Sequence, residues 1–220
     1  MTDSTSFTPA AGRFAPTSLY DSGVALLTRE ALWRRELLRQ LAPAPGDSIL
    51  DVGCGTGSLA ILLKKTQPDA RIVGLDPDIG ALAIAKRKAA AAGVEIEWQQ
   101  GFARDAAKFG CFDKVVSSLV FHQVSLDEKR SGLAAIFAAA RTGGLVCIAD
   151  YAAQEKWHMR QLFRFIQLID GRENTQLNAD GFIERELGTI LAKPVARTFA
   201  IDTPTGTISL FCETNVIHSD

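Results

Sequence analysis

Residues 48–65 read SILDVGCGTGSLAILLKK, and their reading decides the fold. The short apolar run Ile49-Leu50-Asp51-Val52 breaks at Gly53, Gly55 and Gly57 and gives way to the helical LAILLKK. That order predicts a strand, a tight turn and a helix. Glycine reaches backbone angles closed to other residues and leaves no side chain to keep a ligand off the peptide plane. The turn falls at the carboxyl end of the first strand, where doubly wound sheets bind their ligands.

Working outward, the same unit repeats downstream. Residues 70–75 read as a second strand, residues 78–92 as an alanine-rich helix closed by Gly93, and residues 94–100 as a third strand. Residues 112–120 are a β-branched fourth strand. Ser125-Leu126-Asp127-Glu128 fits a capping box for a helix reaching residue 140, and Gly143-Gly144 turns the chain into a fifth strand at 145–149. Strands alternating with helices over short connections imply an α/β, doubly wound parallel sheet with helices on both faces. Upstream, residues 24–41 carry helical apolar spacing through Leu27, Ala31, Leu38 and Leu41, ended by Pro43 and Pro45. Residues 194–201 and 207–211 leave no room for a helix between them and predict a C-terminal antiparallel hairpin, which makes the sheet seven-stranded and mostly parallel. The expected division is a disordered tail at 1–12 and one domain over 13–220, with a core at 46–152, a helical region at 153–192 and the hairpin at 194–215.

Composition narrows the partners. With a formal net charge of −1, the chain has no global field to draw it onto nucleic acid or an anionic membrane surface. The start lacks the pattern of a secretory signal and no run of 18 or more apolar residues occurs, so a cytoplasmic protein is expected. Cys54, Cys111, Cys147 and Cys212 have no paired local spacing and read as reduced thiols. Neither they nor His122, His158 and His218 have metal-ligand spacing, so no metal is expected.

Asp76 ends the second strand, where its carboxylate can accept hydrogen bonds from both hydroxyls of a ribose reaching across from the glycine turn. The competing role is an N-cap, for which Asp78 is equally well placed. The spacing G-x-G-x-G departs from the dinucleotide fingerprint G-x-G-x-x-G, since position 58 is Ser, and no Tyr-x-x-x-Lys pair is evident. A nicotinamide-dependent dehydrogenase is disfavoured.

Residues 49–60, Gly74-Leu75-Asp76 and residues 112–120 together resemble the class I, Rossmann-like S-adenosylmethionine-dependent methyltransferases, over roughly residues 14–152 and the terminal hairpin. Within that class the resemblance is to small-molecule enzymes of the ubiquinone/menaquinone-biosynthesis type. It implies S-adenosyl-L-methionine as cofactor and S-adenosyl-L-homocysteine as product. By the same resemblance Asp51 and the backbone of Gly53, Cys54 and Gly55 surround the methionine end, Gly57 opens the helix behind, and Asp76 takes the ribose. Pro77 and Phe102 flank the adenine and Ala103 offers it a backbone amide. Ser117 and Ser118 line the methionine end with His122 facing the cleft, although all three also read as ordinary loop residues. Tyr20 belongs to a segment that folds over the cofactor or simply packs on the sheet. Cys54 reads as a small buried filler, and Arg34 as a helix residue that carries its charge to solvent.

Displacement from a sulfonium needs chiefly an aligned attacking atom and a dry site, and proximity alone recovers on the order of 7 to 11 kcal/mol. If the acceptor must lose a proton, His122 is the best-placed base, ahead of Asp150 and Tyr151. The apolar helix at 157–169 is either a lid over a partly apolar small-molecule acceptor or sheet cover and a homodimer face. No Asp- or Asn-Pro-Pro-aromatic motif follows the fourth strand, which disfavours the amino-methylating nucleic-acid enzymes. A non-catalytic S-adenosylmethionine-binding protein and a protein or RNA methyltransferase stay as alternatives.

Overall fold

The computed structural model describes residues 28–216. Among these residues, seven strands form one sheet in the order β3-β2-β1-β4-β5-β7-β6. They are β1 (Ser48–Val52), β2 (Arg71–Asp76), β3 (Glu97–Gln100), β4 (Phe112–Ser118), β5 (Ala140–Tyr151), β6 (Phe199–Thr203) and β7 (Gly206–Thr214). β1 to β5 run parallel, and β7 pairs antiparallel with β5 and with β6. The doubly wound reading and the terminal hairpin are both present. The chain reverses between β1 and β4, which leaves a crevice at their carboxyl ends.

Helices α1 (Glu30–Leu41), α2 (Ser58–Thr66) and α5 (Trp157–Asp170) cover one face of the sheet, with Trp33, Leu59 and Phe163 in a shared core. On the other face lie α4 (Leu126–Ala139) and α7 (Phe182–Leu191), where Phe137, Ile183 and Leu187 pack on Leu50 and Ile148. Strand alternation sorts the residues: Ile49 goes to the first face and Leu50 to the second, which also directs Asp51 toward α1. Two further helices complete the order, α3 (Ile79–Ala91) after β2 and α6 (Arg172–Ala179) after α5.

Several expectations shift. The expected tail and Tyr20 lie outside the described residues. The buried stripe of α1 is Trp33, Leu37 and Leu41, not Ala31 and Leu38; both stripes have helical spacing, and contact with the sheet selects the one carrying Trp33. β5 begins at Ala140, so Gly143 lies within the strand, at φ 78, and does not precede it. The first hairpin strand starts later than expected, at Phe199, and the second is longer, Gly206–Thr214, because Thr203 pairs with Gly206 around the two-residue turn Pro204-Thr205. A 3-10 helix spans Ala103–Phe109, a stretch to which the sequence reading gave no element, and α6 lies within the region 153–192 read as helical. Two of the four cysteines are not thiols: Cys147 and Cys212 stand opposite one another in the β5–β7 register, Cα atoms 4.2 Å apart, and are joined as a disulfide. A search for local spacing cannot find a pair separated by 65 positions, and the cysteines no longer argue for a reducing compartment. No helix among the described residues is long and apolar enough to cross a membrane.

Truncating a wholly buried leucine removes its transfer energy and leaves a cavity, so Leu37→Ala is expected to lower stability by about 2–5 kcal/mol. Urea unfolding checks this, with Leu38→Ala, on the half-buried flank of the same helix, losing clearly less.

Candidate functional site

The glycine turn is stitched to the neighbouring strand before any ligand is considered. The amides of Gly53 and Cys54 both donate to the Leu75 carbonyl, at 2.8 and 3.1 Å, and the Gly55 amide donates to Asp76 Oδ2 at 2.8 Å. Gly53, Gly55 and Gly57 take φ of 72, 51 and 76°, the left-handed region that favours glycine. Packing demands two of the three. A Cβ on Gly53 would stand 2.2 Å from Val120 Cγ2, and one on Gly57 2.6 Å from the Trp98 ring. At Gly55 a Cβ would meet nothing within 4 Å, so that glycine borders open space. Lys88 reaches over from α3 and donates to Thr56 Oγ1 and Ser58 Oγ, at 3.0 and 2.7 Å, holding the turn against the start of α2.

Asp76 stands where β2 ends, beside that open space. Its Oδ1 accepts the Asp78 amide at 2.9 Å, while Asp78 itself caps α3 through the amides of Gly80 and Ala81. The capping role thus falls to Asp78. Each Asp76 oxygen has used one of its two acceptor positions, which leaves one on each for a vicinal diol. Burial raises the Asp76 pKa above the ordinary carboxylate range, against the pull of the two amides. The Gly101 amide donates to the Asp76 carbonyl at 3.2 Å, and Gln100 Nε2 to the Pro77 carbonyl at 3.4 Å. These bonds bring Pro77, Phe102 and Ala103 to the rim on which Asp76 sits. The Arg104 guanidinium lies over the Phe102 ring, 4.1 Å from its centroid.

Asp51 is fully buried, and neither carboxylate oxygen has a hydrogen-bond partner among the described residues. Burial pushes its pKa up to about 7; Arg34 opposes the rise, the Asp76 charge adds to it, and the nearby Ala60 amide favours the charged form only weakly, without a hydrogen bond. An orphaned buried carboxylate is costly, on the order of a few kcal/mol, unless something satisfies it. Arg34 Nε is likewise buried without a partner, while its Nη1 pairs with Glu30 at 2.6 Å. The sequence reading sent this charge to solvent, yet it is directed to the Asp51 side of β1. A carboxylate without a hydrogen-bond partner among the described residues, and a guanidinium with its Nε still unpaired there, beside a side-chain-free turn fit a zwitterionic amino-acid group.

The far wall comes from β4 and β5. Ser117 Oγ donates to the Val52 carbonyl at 2.9 Å and is spent on holding β4 to β1; Ser118 is half-buried at the strand end. Leu119 follows at φ 56, a left-handed conformation rare outside glycine and asparagine. Asp150 then gathers the chain: Oδ2 accepts the Val120 and Phe121 amides at 3.0 and 2.6 Å, and Oδ1 accepts the Tyr151 amide and His122 Nδ1, each at 2.7 Å. His122 Nε2 lies 3.4 Å from Asp170 Oδ2. Burial opposes a charge on this imidazole, but the two carboxylates outweigh it and raise its pKa to about 9. Such an imidazolium has no lone pair with which to take a proton. The Tyr151 hydroxyl is engaged with Thr205 Oγ1 at 2.6 Å. Buried Lys129 donates to the Phe121 carbonyl, its pKa lowered to about 8 by burial.

The expected residues Asp51, Gly53, Cys54, Gly55, Gly57, Asp76, Pro77, Phe102 and Ala103 therefore meet at the carboxyl ends of β1 to β3, with Ser117, Ser118 and His122 on the adjoining wall. Burial raises the Cys54 thiol well above its ordinary range, consistent with filler and not nucleophile. Sequence reading did not find Asp170 or Lys129; both sit on helices where a charge normally signals a solvated face. A concavity of about 470 Å³ lined by Lys64, Arg71 and Glu97 lies at the amino end of β2, away from this site.

The family described as Methyltransferase domain matches residues 49–144. The chain is 32% identical over 134 residues to the demethylmenaquinone methyltransferase of Thermus thermophilus, covering 60% of each chain. It is 30% identical over 171 residues to the ubiquinone biosynthesis O-methyltransferase of Azorhizobium caulinodans, covering 71% of this chain and 67% of that one. The matched stretches span between 24% and 67% of the length of the curated relatives matched first. Magnesium protoporphyrin IX methyltransferase from Synechocystis PCC 6803, solved with bound SAH, superposes with a TM-score of 0.59 at 23% identity, covering 90% of this chain and 82% of that one.

The glycines separate two kinds of demand. Gly53→Ala is expected to unfold at markedly lower denaturant, because the Val120 side chain must move. Gly55→Ala meets only backbone strain, about 1–2 kcal/mol, and retains the fold. Circular dichroism against urea for both variants checks the contrast.

Proposed function

Since the chain belongs to the class I S-adenosylmethionine-dependent methyltransferases, we propose that it transfers a methyl group from S-adenosylmethionine to a small, partly apolar acceptor by in-line displacement. The observation that carries this is the pair of acids at the glycine turn: Asp76, tied to Gly55 with acceptor capacity left over, and Asp51, buried without a partner among the described residues. When bound, S-adenosylmethionine supplies a methyl group on a positively charged sulfur. Asp76 would hold the ribose diol, Pro77 and Phe102 would sandwich the adenine, and the Ala103 amide would meet its edge. Asp51 would receive the ammonium group and Arg34 the carboxylate, with the open side of Gly55 admitting the chain between them.

The acceptor would enter from the side of β4 and β5, beneath residues 153–192. Leu162, Phe165, Leu168 and Ile169 of α5 are exposed, and the two relatives above are a demethylmenaquinone methyltransferase and a ubiquinone biosynthesis O-methyltransferase. Alignment and exclusion of water would supply most of the rate. As a general base His122 must first lose the proton its two carboxylates hold, so a rate limited by that step climbs with pH toward about 9.

Isothermal titration with S-adenosylhomocysteine tests the reading. Binding is expected for the unaltered protein, with Asp76→Asn weaker by about 10- to 100-fold, the loss of one hydrogen bond to a charged group. No binding to the unaltered protein would refute it.

Asp51 adds a signed pH dependence. Its folded pKa of about 7 stands above the ordinary 3.8, so its stabilising contribution is fully present below about 3.8 and lost as pH rises through 7. Asp51→Asn should flatten that decline in thermal melts. A cationic ligand favours the ionised acid, so affinity should rise from about pH 6 to 8 with proton release, measured by titration in buffers of different ionisation enthalpy.

A further inference from the structure

The acceptor-side helix α5 is held to the body of the protein unevenly. Its buried side chains, Met159 and Phe163, both fall in the first two turns, whereas Phe165, Leu168 and Ile169 in its second half are exposed. At its last residue one polar contact returns to the sheet: Asp170 Oδ2 to His122 Nε2, with His122 Nδ1 on Asp150 at the end of β5. The next residue, Gly171, takes φ 84 with open space where a Cβ would be, and α6 beyond it is anchored separately. Asn178 donates to the Tyr151 carbonyl and Asn174 to the Gln123 carbonyl. The carboxyl half of α5 thus ends at a glycine joint; half-buried Ile166 rests on the core and Gln167 Nε2 donates to Gln176 Oε1 of α6 at 3.0 Å, while the ionic link of Asp170 ties its last residue to the end of the sheet.

We propose that Asp170, His122 and Asp150 form a clasp that fastens the carboxyl end of α5 over the acceptor side of the cleft, with Asp170 as a positioning residue acting through His122. This rests on the methyl-transfer reading of that cleft, but its parts are testable without an acceptor. The chemistry follows from the imidazole. Protonated, it has two N–H groups and serves both carboxylates. Neutral, it has one, so the second nitrogen turns a lone pair toward a carboxylate and that half of the clasp becomes repulsive. The groups facing the ring among the described residues are Asp150 and the edge of Tyr151 from β5, Asp170 from α5, and Lys129 of α4, whose charge acts on Asp150. Phe163 packs on Tyr151, which in turn packs on His122, so the anchored half of α5 is set against the same ring.

Because the folded His122 pKa is raised from 6.5 to about 9, the clasp is complete below about 6.5 and is lost as pH rises through 9. The test is amide hydrogen exchange, corrected for intrinsic rates, on the full chain and on Asp170→Asn, with histidine-selective NMR titration alongside. Expected in the unaltered protein are a His122 titration near 9 and local opening of residues 164–171 that increases across it. Asp170→Asn is expected to lower that midpoint, to raise exchange in 164–171 by about tenfold at neutral pH, and to leave β1 to β4 unchanged. Affinity for S-adenosylhomocysteine should stay within about twofold, since the link touches no residue of the glycine turn. A His122 midpoint at the ordinary value, or α5 exchange indifferent both to pH and to the substitution, would overturn the clasp. Should Asp170→Asn not fold, the midpoint and pH dependence of the unaltered protein decide alone. Loss of S-adenosylhomocysteine binding by the unaltered protein would count against the methyl-transfer reading and not against the clasp.

Discussion

The hydrogen bond from the Gly55 amide to the Asp76 carboxylate joins two adjacent strand ends and fixes the shape of everything between them. A parallel sheet delivers its strands to one edge with their carbonyls unpaired, and a loop leaving that edge must find partners or stay loose. Here Leu75 and Asp76 provide them: one carbonyl takes two amides of the turn and one carboxylate oxygen takes a third. Burying the Asp76 charge is unfavourable by itself, and charge-assisted bonds from Gly55 and Asp78 offset that. The turn is consequently set in place by the protein, so a ligand arriving there has little loop ordering to oppose it.

The three buried acids of the site differ in how fully they are satisfied, and the difference tracks their roles. Asp150 accepts four hydrogen bonds and organises the exit from β4, including the left-handed Leu119. It behaves as structure. Asp76 is half satisfied, enough to hold the turn with capacity to spare. Asp51 has no hydrogen-bond partner among the described residues, and burial raises its pKa to about 7. A carboxylate in that condition is the one a cation would change most. The two carboxylates around His122 favour its protonated form, so as a base it would act only once that proton is lost.

Sequence made the βα units, their parallel arrangement and the hairpin legible, because strand length, glycine turns and helical spacing are local properties. It also put Asp76 at the end of the second strand and offered Asp78 as a cap for the next helix, the role Asp78 takes. What escaped was set by contacts between distant segments. The stripe of α1 that faces inward is selected by the sheet. The Cys147–Cys212 pairing depends on antiparallel register. The grip on His122 comes from a strand end 28 positions away and from Asp170, the last residue of α5. Arg34 was assigned to solvent by its helix position, whereas strand alternation in β1 had already turned Asp51 toward that helix.

The most direct measurement is a crystal structure with S-adenosylhomocysteine bound. The account requires both ribose hydroxyl oxygens within hydrogen-bonding distance of the Asp76 carboxylate, about 2.5–3.0 Å, with the amino group of the ligand against Asp51. A ribose bound out of reach of Asp76, or an amino group turned away from Asp51, would contradict it.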